Sequence, residues 1–155
     1  MGAGVASAPP RGREERLRDT RRRLETDVDL WVATSGSQDG VHLVPLSYLW
    51  DGSVFLISTP RASVTGRNLL GDGRVRLSLG TTRDVVIVDG AAEPVDTAEL
   101  GDERRAAFAT RTGFDPSGIA EPYQYFVIRP RRILAWREAN ELRGRVLMRD
   151  GSWLD

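Results

Sequence analysis

Cysteine and lysine are both absent from this chain, and histidine occurs once, at His42. Without cysteine there are no disulfides, no thiolate metal sites and no cysteine nucleophile, which fits the reducing cytoplasm, the location expected here. Without lysine, Schiff-base chemistry is impossible, and any anion site must use arginine, backbone N–H groups or hydroxyls. A single imidazole rules out a histidine-rich metal site and leaves a catalytic triad only one candidate base, in the middle of a strand. No apolar run approaches the roughly 20 residues of a membrane span. The N-terminus, MGAGVASAPPRGREERLRD, has no apolar stretch behind its charges, so neither secretion nor membrane insertion is expected. Net charge is lacking too: 22 basic residues, all arginine, balance 22 acidic ones, so the chain has no overall field to draw it onto nucleic acid or an anionic membrane. Gly-rich phosphate loops, dinucleotide fingerprints and calcium-loop spacing are all missing.

What is present is a chain of 155 residues, 40% hydrophobic, long enough for one well-packed core and short for two. Residues 1–10 are small and end in proline, and are expected to form a disordered lead-in. Residues 11–137 hold the periodic segments of one domain. The pattern from Gly12 to Thr26 is helical, with Leu17 and Leu24 on one stripe. Its arginine excess fits either a polyanion-binding face or an ordinary solvated one. After Asp27 the period becomes that of strands: Asp29–Thr34, Val41–Leu46 and Ser53–Ser58, separated by Gly- and Asp-rich turns that include Trp50-Asp51-Gly52. Pro45 offers no backbone donor and places the second strand at an edge or a bulge.

Ser63 or Thr65 then caps a short helix that stops at Gly71-Asp72-Gly73. Strands follow at Arg74–Leu79 and Asp84–Val95, with a bulge at Asp89-Gly90. A helix capped by Thr97 runs to Arg111, and a last long strand or strand pair, Tyr123–Arg137, bends at Arg129-Pro130-Arg131. Residues 138–155 form a C-terminal tail that extends a strand, folds into a short helix or covers a groove. The fold class is mainly β: six or so antiparallel strands in a barrel or sandwich, with an N-terminal helix and short connecting helices.

The chemistry concentrates just after the third strand. Ser58, Thr59, Arg61, Ser63, Thr65, Arg67 and Asn68 lie within eleven positions at a strand-to-helix junction. Free N–H groups and the positive end of a helix both favour an anion there, and arginine with hydroxyls describes a phosphate site. Ordinary helix capping explains the same residues. His42 likewise has two readings, an imidazole on the outer face of an edge strand or a neighbour of a cofactor or substrate.

The order of a GVHLVPL strand (Gly40–Leu46), a Trp50-Asp51-Gly52 turn, a strand ending Ser58-Thr59, then SVTGRNL (Ser63–Leu69) and DGRVRL (Asp72–Leu77) resembles the pyridoxamine 5'-phosphate oxidase-like superfamily. The similarity is strongest to its deazaflavin (coenzyme F-420)-dependent oxidoreductases and FMN-binding relatives. It is close over Val28–Val95 and looser over Tyr123–Trp136. The resemblance implies a split β-barrel that works as a homodimer, with its cofactor in a groove at the dimer interface. It puts Val44, Pro45, Leu46 and Ser47 beside the deazaflavin or flavin ring, and Ser58, Thr59, Ser63, Thr65, Arg67 and Asn68 around the phosphate. Trp136 becomes a contact from the other subunit. The family often has lysine, or an Arg/Lys pair, where this chain has Ser63 and Thr65; Arg61 or Arg67 then supplies the charge.

The implied activity is hydride transfer between reduced deazaflavin and a small organic substrate. The cofactor does the chemistry, and no acid–base side chain or metal is required of the protein. FMN is the second cofactor candidate. A haem- or tetrapyrrole-binding module without catalysis, with His42 as axial ligand, and a dimeric domain whose partner is another protein are the alternatives in other classes.

Overall fold

The computed structural model describes residues 8–155 apart from Ser37 and Asp39. Most of the expected lead-in, residues 1–7, lies outside the described residues. Helix α1 (Arg13–Thr26) buries Leu17, Thr20 and Leu24, one stripe along two turns, and carries Glu14 and Glu15 in its first turn against the positive helix end. The arginine-rich face is not wholly solvated. Arg16 is buried and donates to the carbonyl of Glu141 at 2.9 Å.

Nine strands form one antiparallel sheet among the described residues. They are β1 (Asp29–Gly36), β2 (Gly40–Ser47), β3 (Leu49–Trp50), β4 (Phe55–Pro60), β5 (Arg74–Thr81), β6 (Asp84–Val95), β7 (Tyr123–Trp136), β8 (Val146–Arg149) and β9 (Ser152–Trp153). The order is β2-β1-β5-β6-β7-β4-β3, with β8 paired to β7 and β9 to β8. The architecture is mainly β: a curled antiparallel half-barrel with peripheral helices. β2 does stand at an edge of the sheet, where a proline is tolerated. The register between β6 and β7 shifts at Asp89/Gly90, and Arg131 has no partner across the strands. The two irregularities expected from sequence are therefore one bulge, shared by facing strands.

Strand alternation divides the interior in two. Phe55 and Ile57 of β4, with Phe126 and Ile128 of β7, enter the main core with Leu30, Val32 and Leu77. Leu56 and Val54, with Tyr125 and Val127, point the other way into a smaller cluster with Leu100 and Phe108. β4 can be apolar at consecutive positions because both of its faces are covered.

Three local expectations change. The sheet has more strands than six, because Leu49–Trp50 pairs with β4 and the tail supplies β8 and β9. The turn begins one residue later than Trp50: Asp51 Oδ1 accepts from the N–H groups of Ser53 and Val54 at 2.9 and 2.8 Å, a side-chain-made turn. The helix expected from Thr97 to Arg111 is two, α3 (Thr97–Leu100) and α4 (Asp102–Thr112), with Asp96 rather than Thr97 at the N-cap of α3. Gly101 separates them at φ 84°, a left-handed conformation that no helix interior accommodates.

The tail is tied to the start of the chain by a buried ion cluster. Glu141, 2% exposed, accepts from Arg11 Nε and Nη2 at 2.9 and 2.8 Å and from the backbone N–H groups of Arg11 and Arg137 at 3.1 and 3.0 Å. The hydrogen bonds from Arg11 hold the Glu141 carboxyl down at about 2, against the opposing effect of burial. Because the folded value is depressed, this stabilisation is fully present above the ordinary glutamate value. It is lost as pH falls from about 4.5 towards 2. Replacing Glu141 by Ala leaves buried Arg11 with only its weaker contacts to Asp19 and Asp84 and should cost about 3 kcal/mol at pH 7. Urea unfolding of the two proteins checks this, with the difference expected to shrink towards pH 2.

Candidate cofactor site

β4 ends in Ser58-Thr59-Pro60, and helix α2 (Val64–Gly71) begins four residues later. Ser63 is the N-cap: its Oγ accepts from the Gly66 N–H at 3.0 Å and donates to the Pro60 carbonyl at 2.7 Å. Of the two capping candidates in the sequence, Ser63 does the capping. Gly66 is obligatory, because a Cβ there would stand 2.5 Å from the Pro60 carbonyl oxygen and 2.8 Å from that of Arg61. The first turn of α2 thus lies directly on the turn backbone, with the amides of Val64 and Thr65 at its positive end.

Around that turn the structure gathers Thr59, Arg61, Ser63 and Thr65, together with Gln124 from β7. Thr59 Oγ1 lies 3.3 Å from Ser63 Oγ. Gln124 faces Thr59 across the β4–β7 ladder and accepts from Arg61 Nη1. Thr59, Thr65 and Gln124 are buried, whereas Arg61 is exposed. Sequence reasoning missed Gln124. The signal available was a lone amide in the otherwise apolar YQYFVI run, in a strand whose neighbours are all buried.

Arg67 and Asn68 lie one turn further along α2; Asn68 turns towards β1, whereas the Arg67 guanidinium reaches back to the turn. Asn68 Nδ2 donates to Thr34 Oγ1 at 3.1 Å, and Arg67 Nη1 to the Ala62 carbonyl at 2.7 Å. Both line a cavity of about 610 Å³ with Ser35, Gly36, Asp72 and Arg74. Asp72, at its mouth, is engaged by Arg74 at 2.9 Å, which holds its carboxyl below the usual range. A Cβ on Gly36 would stand 2.1 Å from Asn68 Oδ1, so a larger residue there would turn the Asn68 side chain out of its present place.

Other expected residues fall elsewhere. Ser58 is not part of the turn: its side chain is on the Leu56 side of β4, opposite to that of Thr59, and faces Tyr125. In β2 the residues alternate. Val44 and Leu46 pack against the main core, whereas Pro45 is exposed beside its cross-strand neighbour Trp31. Ser47 Oγ donates to Asp29 Oδ1 at 2.6 Å. Trp136 is at the far end of β7 from Gln124, up to about 40 Å away along a strand of this length, and so does not reach the α2 turn of its own chain. His42 pairs with Thr34 and shares the inward face of Val44 and Leu46. The outer-face reading of this histidine is therefore corrected: it is half-buried, directly across the ladder from Thr34, whose hydroxyl Asn68 holds.

Hydroxyls, two guanidinium groups and helix-opening amides converge on the α2 turn, a donor set that fits a phosphate or carboxylate. The curled antiparallel half-barrel with its peripheral helices is a split β-barrel. The family profile described as pyridoxamine 5'-phosphate oxidase matches residues 19–137, and the chain belongs to that family. Among solved structures, an F-420 reductase aligns with TM-score 0.60 at 18% identity, over 73% of this chain and 94% of its own. A FAD-binding protein from Mesorhizobium loti aligns with TM-score 0.61 at 16% identity, over 75% and 88%. A conserved hypothetical protein from Mycobacterium tuberculosis aligns with TM-score 0.61 at 22% identity, over 79% and 85%. These likenesses concern the fold. No curated protein matches the chain in sequence.

Replacing Ser63 by Ala removes the cap and should cost about 1 kcal/mol, with Ser63→Gly costing only a few tenths. Denaturant unfolding of both variants tests this; equal losses would mean that the hydroxyl does not cap α2.

Proposed function

We propose that this protein is a deazaflavin (coenzyme F-420)-dependent oxidoreductase that transfers a hydride between the reduced cofactor and a small organic substrate. The observation that carries the reading is the α2 turn, where arginine, hydroxyl and amide donors meet in a family that binds flavins. Thr59, Ser63, Thr65 and the Val64 and Thr65 amides take the phosphate, with Arg61 or Arg67 supplying the charge that lysine supplies elsewhere in the family. The ring lies along β2, against the backbone of Val44–Ser47. The cofactor, when bound, supplies the hydride; the chain orients it, excludes water and contributes no proton-transferring side chain.

The protein works as a homodimer in this reading. Trp31, Val41 and Leu43 are 47%, 85% and 57% exposed, and with Pro45 they form an apolar outer face on β1 and β2 that a second copy covers. Such a copy also brings Trp136 to the site. Cytoplasmic location accords with a cysteine-free chain, and no helix among the described residues is long and apolar enough to cross a membrane. FMN is the second cofactor, supported by the fold shared with the FAD-binding protein.

Fluorescence titration with the deazaflavin and with FMN tests the assignment. Micromolar binding of the deazaflavin, weakened by about 1 to 3 kcal/mol in Arg67→Ala, is the expected outcome. Preference for FMN moves the protein to the flavin branch, and binding of neither overturns the reading. Sedimentation at micromolar concentration should give a dimer; a well-behaved monomer removes the shared groove.

A further inference from the structure

The chain continues past residues 19–137, the span of the family profile, and its last strands, β8 and β9, fold back onto β7. Trp153 pairs with Met148 across the β8–β9 ladder, and the Gly151 N–H donates to the Arg131 carbonyl at 2.9 Å. Helix α1 also holds the hairpin. Arg13 Nε donates to the Leu154 carbonyl at 3.0 Å, and the Arg21 guanidinium lies 4.7 Å from the centre of the Trp153 ring. Between this hairpin, the bend of β7 and the turn that leads into β4 lies a cavity of about 450 Å³.

The lining joins apolar walls to one cation. Trp153, Met148, Pro130 and Val54 are its larger apolar residues, and Gly52 and Gly151 add no side chain to fill it. Arg129 is the only charged group among the described residues that line it. It is exposed, and forms no hydrogen bond or ion pair with any described residue. The acid of the adjoining turn is committed elsewhere: Asp51 Oδ1 accepts from the Ser53 and Val54 N–H groups, and Oδ2 lies 3.5 Å from Arg104.

A concave, mostly apolar lining with a convergent charge is the usual form of a small-molecule site. An indole face and a thioether both favour a flat ring, and a free guanidinium takes a carboxylate in bidentate geometry. The walls are fixed before any ligand arrives, by α1 on the hairpin and by Asp51 on the turn. We infer that this cavity binds a small aromatic carboxylate, with the ring against Trp153 and Met148 and the carboxylate on Arg129. Arg129 lies five residues beyond Gln124 on β7, about 17 Å along the strand. The site is therefore separate from the α2 turn and does not depend on which coenzyme binds there.

Titration of the isotopically labelled full chain with benzoate, benzyl alcohol and acetate, followed by chemical shifts, tests the proposal. Benzoate carries both ring and charge, and each of the other two carries one. The expected result is that benzoate perturbs the Ser53, Met148 and Gly151 amides and the Trp153 indole N–H, and binds at least about tenfold more tightly than either partial probe. Arg129→Gln should fold and melt as the unaltered protein does, because the guanidinium has no partner to lose, and should weaken benzoate binding about tenfold or more. Arg67→Ala, at the coenzyme turn, should leave it unchanged. No benzoate binding at millimolar concentration, shifts confined to the α2 turn, or an affinity that survives in Arg129→Gln overturns the inference.

Discussion

The backbone pairing of β7 is the constraint on which the rest of this structure depends. Its fourteen residues pair along one edge with β6, and along the other with β4 near the start and β8 near the end. That double engagement leaves every second side chain facing a different cluster. Phe126 and Ile128 build the main core, while Tyr125 and Val127 build the smaller one under α4. Gln124, the first polar position, is thereby set beside Thr59 at the α2 turn. A slip of one residue in this register would exchange the two sets and place the amide in the apolar cluster. The bulge at Arg131 takes up the strand's bend towards β6, and the pairing with β8 shifts between Ile133 and Leu134.

Much of this was legible because it is local. The turn chemistry of Asp51, the edge position announced by Pro45, the Ser63 cap and the bulge pair each depend on a few adjacent residues whose backbone preferences are strong. What the sequence concealed is long-range. Arg11 and Glu141 are 130 positions apart, and in the sequence Arg11 is simply one more arginine in a basic helix region. The break at Gly101 was missed because a single glycine in a helical pattern is tolerated as often as it terminates. For the site, proximity in sequence was a good guide for Thr59, Arg61, Ser63 and Thr65 and a misleading one for Ser58. Adjacent strand residues point to opposite faces, so Ser58 and Thr59 cannot serve the same pocket with their side chains.

The arginine-only composition shapes the site as well as the scaffold. Arginine makes several directed hydrogen bonds at once, and here many are spent within the chain: Arg11 on Glu141, Arg16 on loop carbonyls, Arg61 on Gln124, Arg67 on Ala62. The α2 turn is therefore preorganised by its own network rather than held open by repelling charges. In the proposed reading, helix-end amides and hydroxyls favour an anion there as much as net charge does.

The central claim is that the α2 turn and β2 together receive the coenzyme, and amide chemical shifts of isotopically labelled protein during titration with the deazaflavin test it most directly. The account predicts that the perturbed amides cluster at Val44, Leu46, Ser47, Ser63, Val64 and Thr65. Perturbations confined to other elements, or none at saturating coenzyme, would contradict it.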